Sequence, residues 1–280
     1  MSWFGEKLHR GYSQQIEHSR VIHQEKTAFQ DLAILETERF GRVLTLDGVV
    51  QTTERDEFIY HEMLAHVPLF AVAEPRRVLI IGGGDGGLLR EVLRHPIKEV
   101  VMVEIDGAVV ACCREHMPSL SAGAFDDPRT DLRIADGIDY VARARDPFDA
   151  ILVDSTDPSG PGKVLFTDAF YGNCRRLLRQ GGVLAAQNGV AFLQGDEVAT
   201  TSRRLKPIFA DVGFFFVAVP TYIGGLMALT WGSDQPAVRR QPVEAIRLRY
   251  QAAGFETRYY SPEMHAAAFA APPYIADLTR

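Results

Sequence analysis

Cysteine is scarce in this chain: three among 280 residues, two of them adjacent as Cys112 and Cys113. That is a poor basis for a disulfide framework. Long apolar runs are missing too, and none reaches the roughly 18 residues a membrane span needs. The first residues, MSWFGEKLHRGYSQQ, lack the apolar core of a secretory signal. Basic residues are scattered and outnumbered, leaving a net charge of −6, so no electrostatic footprint suggests nucleic acid. There is no internal repeat and no low-complexity tract. Together these absences argue against secreted, membrane-spanning and nucleic-acid-binding classes and make a reducing cytoplasm the expected compartment. What is present, 46% apolar and 24% charged residues, is the composition of an ordinary globular protein. The length suits one large domain plus a smaller one.

The pattern divides at two places. Residues 27–52 read as a β-meander with strands TAFQDLAIL, GRVLTL and VVQTT, and Asp47-Gly48 between the last two is a tight-hairpin signal. Residues 54–67 read as a helix stopped by Pro68. Beyond Pro75 strands and helices alternate. The strands are expected at 77–81, 99–105, 130–136, 148–154, 181–187, 213–219 and 226–232. Near-continuous apolar strands separated by helices predict a parallel sheet covered on both faces. The last two, joined only by PTYIGG, must pair antiparallel, because the connection is too short for a crossover. The expected fold is therefore α/β: a Rossmann-like, methyltransferase-type seven-stranded sheet in residues 68–280, preceded by a small β-meander domain with a linking helix in residues 1–67.

After the first of these strands comes GGGDGG, residues 82–87. Gly82, Gly84 and Gly87 fit G-x-G-x-x-G, and Glu104 ends the next strand 22 residues after Gly82, where a carboxylate can hold ribose hydroxyls. A dinucleotide dehydrogenase is one reading. Asp85 opposes it: a carboxylate ~4 Å from a phosphate costs roughly 4 kcal/mol at an effective dielectric of 20. Asp85 could instead cap the following helix, or face a cation.

Other strand ends carry acids as well. Glu104 and Asp106 follow the second strand, Asp136-Gly137 the third, and Asp154 and Asp157 the fourth. In an open parallel sheet these ends converge on the ligand site. Asp106, which opens a helix, is expected to be structural; the others make an acid-rich pocket suited to a polycation or a metal. Metal is the weaker reading. His61-Glu62 and His66 resemble H-E-x-x-H with one residue too many, a spacing that sets the imidazoles about 140° apart on a helix. SGPGKV is not a P-loop, and Ser155 is not in a G-x-S-x-G elbow.

LDGVVQTTERDEFIYHEM (46–63), VLIIGGGDGG (78–87), VEID (103–106), ADG (135–137), VDSTDPSGP (153–161) and PTYIGG (220–225) resemble the polyamine aminopropyltransferase family, and within it the bacterial spermidine synthases. The likeness covers about residues 18–275. It implies transfer of the aminopropyl group of decarboxylated S-adenosylmethionine to putrescine, giving spermidine and methylthioadenosine. The donor is then a co-substrate; no cofactor and no metal are implied, and the assembly is a homodimer or homotetramer. By resemblance, Gln30, Gln51 and Gly82 approach the nucleoside donor and Glu104 takes its ribose hydroxyls. Asp136 and Gly137 recognise the adenine, and Pro161 closes over it. Asp85 and Asp154 hold the donor's amino group and the reacting amine, with Asp154 as proton acceptor. Tyr60, His61, Asp157 and Tyr222 line the amine channel, and the loop 155–163 acts as a gate. Some relatives carry Gln where this chain has His61. Alternatives are another amine acceptor (cadaverine, agmatine or spermidine), an NAD-dependent oxidoreductase, and a non-catalytic polyamine sensor.

Overall fold

The computed structural model describes residues 2–156 and 167–280. The chain opens with an antiparallel hairpin of Ser2–His9 (β1) and Tyr12–His18 (β2). An antiparallel four-stranded sheet follows, formed in sequence order by Arg20–Lys26 (β3), Asp31–Thr37 (β4), Gly41–Leu46 (β5) and Val49–Thr53 (β6). Strand structure thus begins well before the expected position 27. Residues 27–30, expected to be extended, form a turn instead, because the Thr27 hydroxyl accepts from the backbone N–H groups of Phe29 and Gln30 at 3.0 Å. Asp47 and Gly48 both have positive φ, 50° and 74°, as a two-residue hairpin of matching twist requires.

The helix after β6 spans Glu57–Ala71 (α1) and passes through Pro68 rather than ending there. Proline forfeits one backbone hydrogen bond, but every residue from Tyr60 to Ala71 is buried. Packing on both sides carries the helix one more turn.

The large sheet is built from Arg77–Gly82 (β7), Glu99–Glu104 (β8), Thr130–Ile134 (β9), Phe148–Asp154 (β10), Leu178–Val190 (β11), Asp211–Val217 (β12) and Met227–Ser233 (β13). Their spatial order is β12-β13-β11-β10-β7-β8-β9, and the pairs are parallel except those made by β13. Antiparallel β13 is the strand anticipated from the short PTYIGG link. Alternation along the strands feeds two cores. Val78, Ile80, Met102 and Leu152 face one side, while Leu79, Ile81, Val103 and Ile151 face the other. That two-sided burial is why the strands read as unbroken apolar runs.

Between the strands lie Gly87–Leu93 (α2), Gly107–His116 (α3), Pro118–Ser121 (α4), Gly137–Arg143 (α5), Asp168–Leu177 (α6) and Gly195–Leu205 (α7). Short helices at 236–239, 243–253, 262–268 and 273–278 complete the chain. This C-terminal segment locks onto α1: buried Glu62 accepts from the backbone N–H groups of Arg258, Tyr259 and Tyr260, each at 2.8 Å. Tyr260 stacks on Phe70 with ring centroids 5.3 Å apart. One end of α1 is thereby fixed, and its other end delivers side chains to the carboxyl ends of β7 and β10.

Candidate active site

A cavity of about 460 Å³ lies where β7, β8 and β10 end and the N-terminal strands cover them. Its floor is the glycine turn. Gly83 N–H donates to the Asp154 carbonyl at 2.8 Å, so the turn after β7 is bonded to the end of β10. A β-carbon on Gly84 would lie 2.9 Å from Val109 and 3.1 Å from a Glu104 oxygen, so the turn lies directly against the acid that ends β8. Gly137 serves the same purpose on the opposite wall, where a β-carbon would come 2.6 Å from Ile81.

The acids occupy distinct environments. Asp85 divides its oxygens: Oδ1 accepts from Gly87 N–H at 2.7 Å, while Oδ2 faces His61 Nε2 at 3.6 Å. One oxygen thus holds the start of α2, and the other points at the His61 ring. Burial raises its pKa, opposed by His61. Asp154 accepts from the Tyr60 hydroxyl at 2.8 Å, and its Oδ2 lies 4.0 Å from His61 Nε2. Burial, aided by Asp85 and opposed by His61, lifts Asp154 to about 6. Burial also lifts Glu104 to about 7, although its Oε1 accepts from Asp106 N–H at 2.9 Å. Asp136 stands at the exposed rim and caps α5 through Ile138 N–H.

Of the residues singled out by sequence, Gln30, Gln51, Tyr60, His61, Gly82, Asp85, Glu104, Asp136, Gly137, Asp154 and Tyr222 all line this cavity. Asp157, Pro161 and most of the 155–163 loop fall outside the described residues. Asp106 caps α3 through Ala108 N–H and accepts from Thr27 Oγ1 and Gln30 Nε2, at 2.7 and 3.0 Å. Its structural job is to moor the turn that carries Gln30. Tyr222 is placed from two sides. Its hydroxyl donates to the Gln51 carbonyl, and its neighbour Thr221 is bonded to Asp56 through backbone and hydroxyl at 3.0 and 2.8 Å. The Tyr60 and Tyr222 rings meet edge-on, with centroids 5.9 Å apart.

His61 and His66 point to separate places. His66 is fully buried between His95 and Glu91, at 2.9 and 3.1 Å, so the near-miss zinc spacing builds no shared site.

Sequence reading missed Glu6 and His9 of β1, which also line the cavity. The signal was there: Phe4, Glu6 and Leu8 alternate on the less exposed face of β1, with a carboxylate in the middle. Glu57 and Arg90 were missed as well. Glu57 stands one helical turn before His61 and accepts from its Nδ1 at 2.6 Å, an i, i+4 pair visible in the helical pattern.

Comparison with known proteins gives a consistent result. Residues 57–242 match the family model "Spermine/spermidine synthase domain", and residues 2–54 match "Spermidine synthase tetramerisation domain". Polyamine aminopropyltransferase 1 of Pseudomonas aeruginosa is 53% identical over 276 residues, 98% of this chain and 96% of that protein. The polyamine aminopropyltransferase of Erwinia tasmaniensis is 52% identical over the same shares. A crystal structure of spermidine synthase in complex with the transition state analogue AdoDATO superposes with a TM-score of 0.94 at 36% identity, covering 99% of this chain and 94% of the other. Spermidine synthase from Thermotoga maritima superposes at 0.91 with 34% identity over the same shares.

Proposed function

This chain belongs to the spermine/spermidine synthase family, and from that premise we propose that it transfers the aminopropyl group of decarboxylated S-adenosylmethionine to putrescine, releasing methylthioadenosine and spermidine. The observation that carries this reading is a cavity of about 460 Å³ whose lining brings Asp85 and Asp154 together on the same His61 nitrogen, at 3.6 and 4.0 Å. In the proposed roles, Gln30, Gln51 and Gly82 line the nucleoside's path, Glu104 takes the ribose hydroxyls, and Asp136 and Gly137 meet the adenine, with Pro161 over it. Asp85 holds the donor's ammonium. Tyr60, His61, Asp157 and Tyr222 form the amine channel. Asp154 receives the proton of the attacking nitrogen, which must meet the carbon beside sulfur in line with the departing thioether. Residues 1–67 serve as the N-terminal assembly unit and 68–280 as the catalytic unit, with α1 packed on the latter. The enzyme works as a homodimer or homotetramer in the cytoplasm. No helix of the described residues is long and apolar enough to cross a membrane.

Donor and acceptor are both cationic, so an acidic pocket attracts them and offsets their mutual repulsion. The common methyl donor keeps its carboxylate, which would meet Asp85. Asp85→Ala is therefore expected to weaken discrimination against intact S-adenosylmethionine by tenfold or more. Tenfold is about 1.4 kcal/mol out of the ~4 kcal/mol that two carboxylates 4 Å apart cost at an effective dielectric of 20. Competition of the two donors for binding measures it, and an unchanged ratio would remove Asp85 as selector. The activity itself is tested by incubating the protein with decarboxylated donor and putrescine, cadaverine, agmatine or spermidine, and assaying methylthioadenosine and product mass. Absence of transfer to every amine would overturn the enzyme reading; preference for another amine would keep the chemistry and change the acceptor.

A further inference from the structure

Polyamine transfer contains an electrostatic contradiction. Carboxylates that attract an ammonium also stabilise it, yet the attacking nitrogen has to shed its proton. The side chains around His61 resolve it. Its Nδ1 faces Glu57 at 2.6 Å, and its Nε2 faces Asp85 and Asp154 at 3.6 and 4.0 Å. A neutral imidazole would turn a lone pair toward one of these carboxylates, whereas a ring protonated on both nitrogens donates to Glu57 through Nδ1 and presents positive charge to two carboxylates within 4.0 Å of Nε2. The ring is also clamped sterically: a β-carbon on Gly87 would lie 2.3 Å from its Cε1 and Nδ1. Glu57 in turn is gripped by Arg90, whose Nη2 approaches both its oxygens at 3.1 and 2.9 Å.

We infer that Glu57, held by Arg90, is a positioning residue that keeps His61 as an imidazolium across Asp85 and Asp154, so that the pocket accepts the reacting nitrogen as its free base. This rests on the aminopropyl-transfer reading of the same site. The charges work out as follows. Glu57 and Arg90 offset each other, leaving His61 positive against negative Asp85 and Asp154. One negative charge remains, and the donor's ammonium neutralises it. A second ammonium at the reacting position would exceed the charge that Asp85 and Asp154 have left to offer there. Without the imidazolium, two carboxylates would face two ammonium groups and hold the nucleophile in its unreactive form.

The groups facing the ring are Glu57 and Tyr60 from its own helix, Asp85 from the glycine turn and Asp154 from β10, with Arg90 of α2 behind Glu57. Burial works against a charged ring, but Asp85, Glu57 and Asp154 outweigh it and push His61 up to about 9.

The test is the pH profile of kcat/KM for the amine, calculated on its free-base concentration, in the wild type, Glu57→Gln and His61→Gln. The wild type is expected to lose activity above about pH 9, as the imidazolium deprotonates. Glu57→Gln keeps the shape and removes the charge. It should move that descending limb down by roughly 1–3 pH units, the effect of an opposite charge in contact, with KM for the donor unchanged. In His61→Gln the limb should disappear, and adding Glu57→Gln should then have no further effect on the profile. A limb that stays in place in Glu57→Gln would overturn the proposal. Nitrogen NMR of the labelled, unsubstituted protein reads the same ring without turnover. Both His61 ring nitrogens should be protonated at pH 8, and a neutral ring there would also overturn it. Failure of the wild type to transfer to any amine would instead strike the activity reading and leave this ring measurement standing.

Discussion

Asp154→Asn is expected to lower kcat by a factor of 10² or more while donor binding persists. The amine enters as its free base, and as its nitrogen bonds to carbon it becomes an ammonium whose proton, held with a pKa near 10.4 in an ordinary amine, must be passed on. A receiving base of ordinary aspartate strength would add little. Asp154 is stronger: burial lifts it from 3.8 to about 6, which narrows the mismatch with the amine by about 3 kcal/mol. Its orientation is fixed by the Tyr60 hydroxyl on Oδ1, leaving Oδ2 toward the His61 ring. Asparagine could still accept from Tyr60, but its other end would be an amide that takes no proton and turns N–H toward N–H of the imidazolium. General-base removal commonly costs 10²–10⁴-fold. The measurement is single-turnover transfer with both substrates saturating, beside equilibrium donor binding, with the wild type's acid limb near pH 6 expected to vanish. A variant turning over at the wild-type rate would remove Asp154 from the proton path.

Much of this site was legible because its acids sit at strand ends. Apolar five- to seven-residue runs locate the strands, and the doubly wound topology brings Asp85, Glu104, Asp136 and Asp154 together although 69 positions separate the first from the last. What stayed hidden depends on packing rather than on pattern. Pro68 is a helix breaker in isolation, and only burial of α1 on both sides lets the helix continue. The hairpin Ser2–His18 was not read because one strand in it carries too few apolar residues to show a strong period, yet it supplies Glu6 and His9 to the cavity. Glu57 and Arg90 lie 33 positions apart and look like ordinary surface charges in sequence; their hydrogen bonds become meaningful only once α1 and α2 are set side by side. The His61 ring shows the same limit. Its identity was conspicuous, but its charge is decided by three carboxylates from three elements.

Gly82→Ala is expected to be nearly as damaging to turnover as loss of the base, although Gly82 carries no reactive group. It has φ +83°, and an added β-carbon would lie 2.1 Å from the Asp154 carbonyl oxygen and 2.9 Å from its carbonyl carbon. Both contacts are with backbone, so no rotamer change relieves them. Left-handed geometry costs an L-residue roughly 1–2 kcal/mol, and overpacking a close contact typically costs 1–3 kcal/mol more. A fall in stability of about 3 kcal/mol is expected, or roughly 6–12 °C in Tm for a chain of this size. The effect on activity is separable from that loss. The β-carbon can be admitted only by parting the ends of β7 and β10, which are paired at Gly82 and Asp154 and tied by the Gly83 N–H to the Asp154 carbonyl. Displacing the base by ~1 Å relative to the amine carries a rate penalty of about 10². Gly254→Ala supplies the control: φ there is +70°, and nothing lies within 4 Å of the added carbon. It should lose only the conformational term and keep its kcat. If Gly82→Ala, measured well below its Tm, retains wild-type kcat, the contact between glycine turn and base strand does not position Asp154. If it loses kcat while donor binding survives, the glycine in GGGDGG is required for where it places the carboxylate opposite.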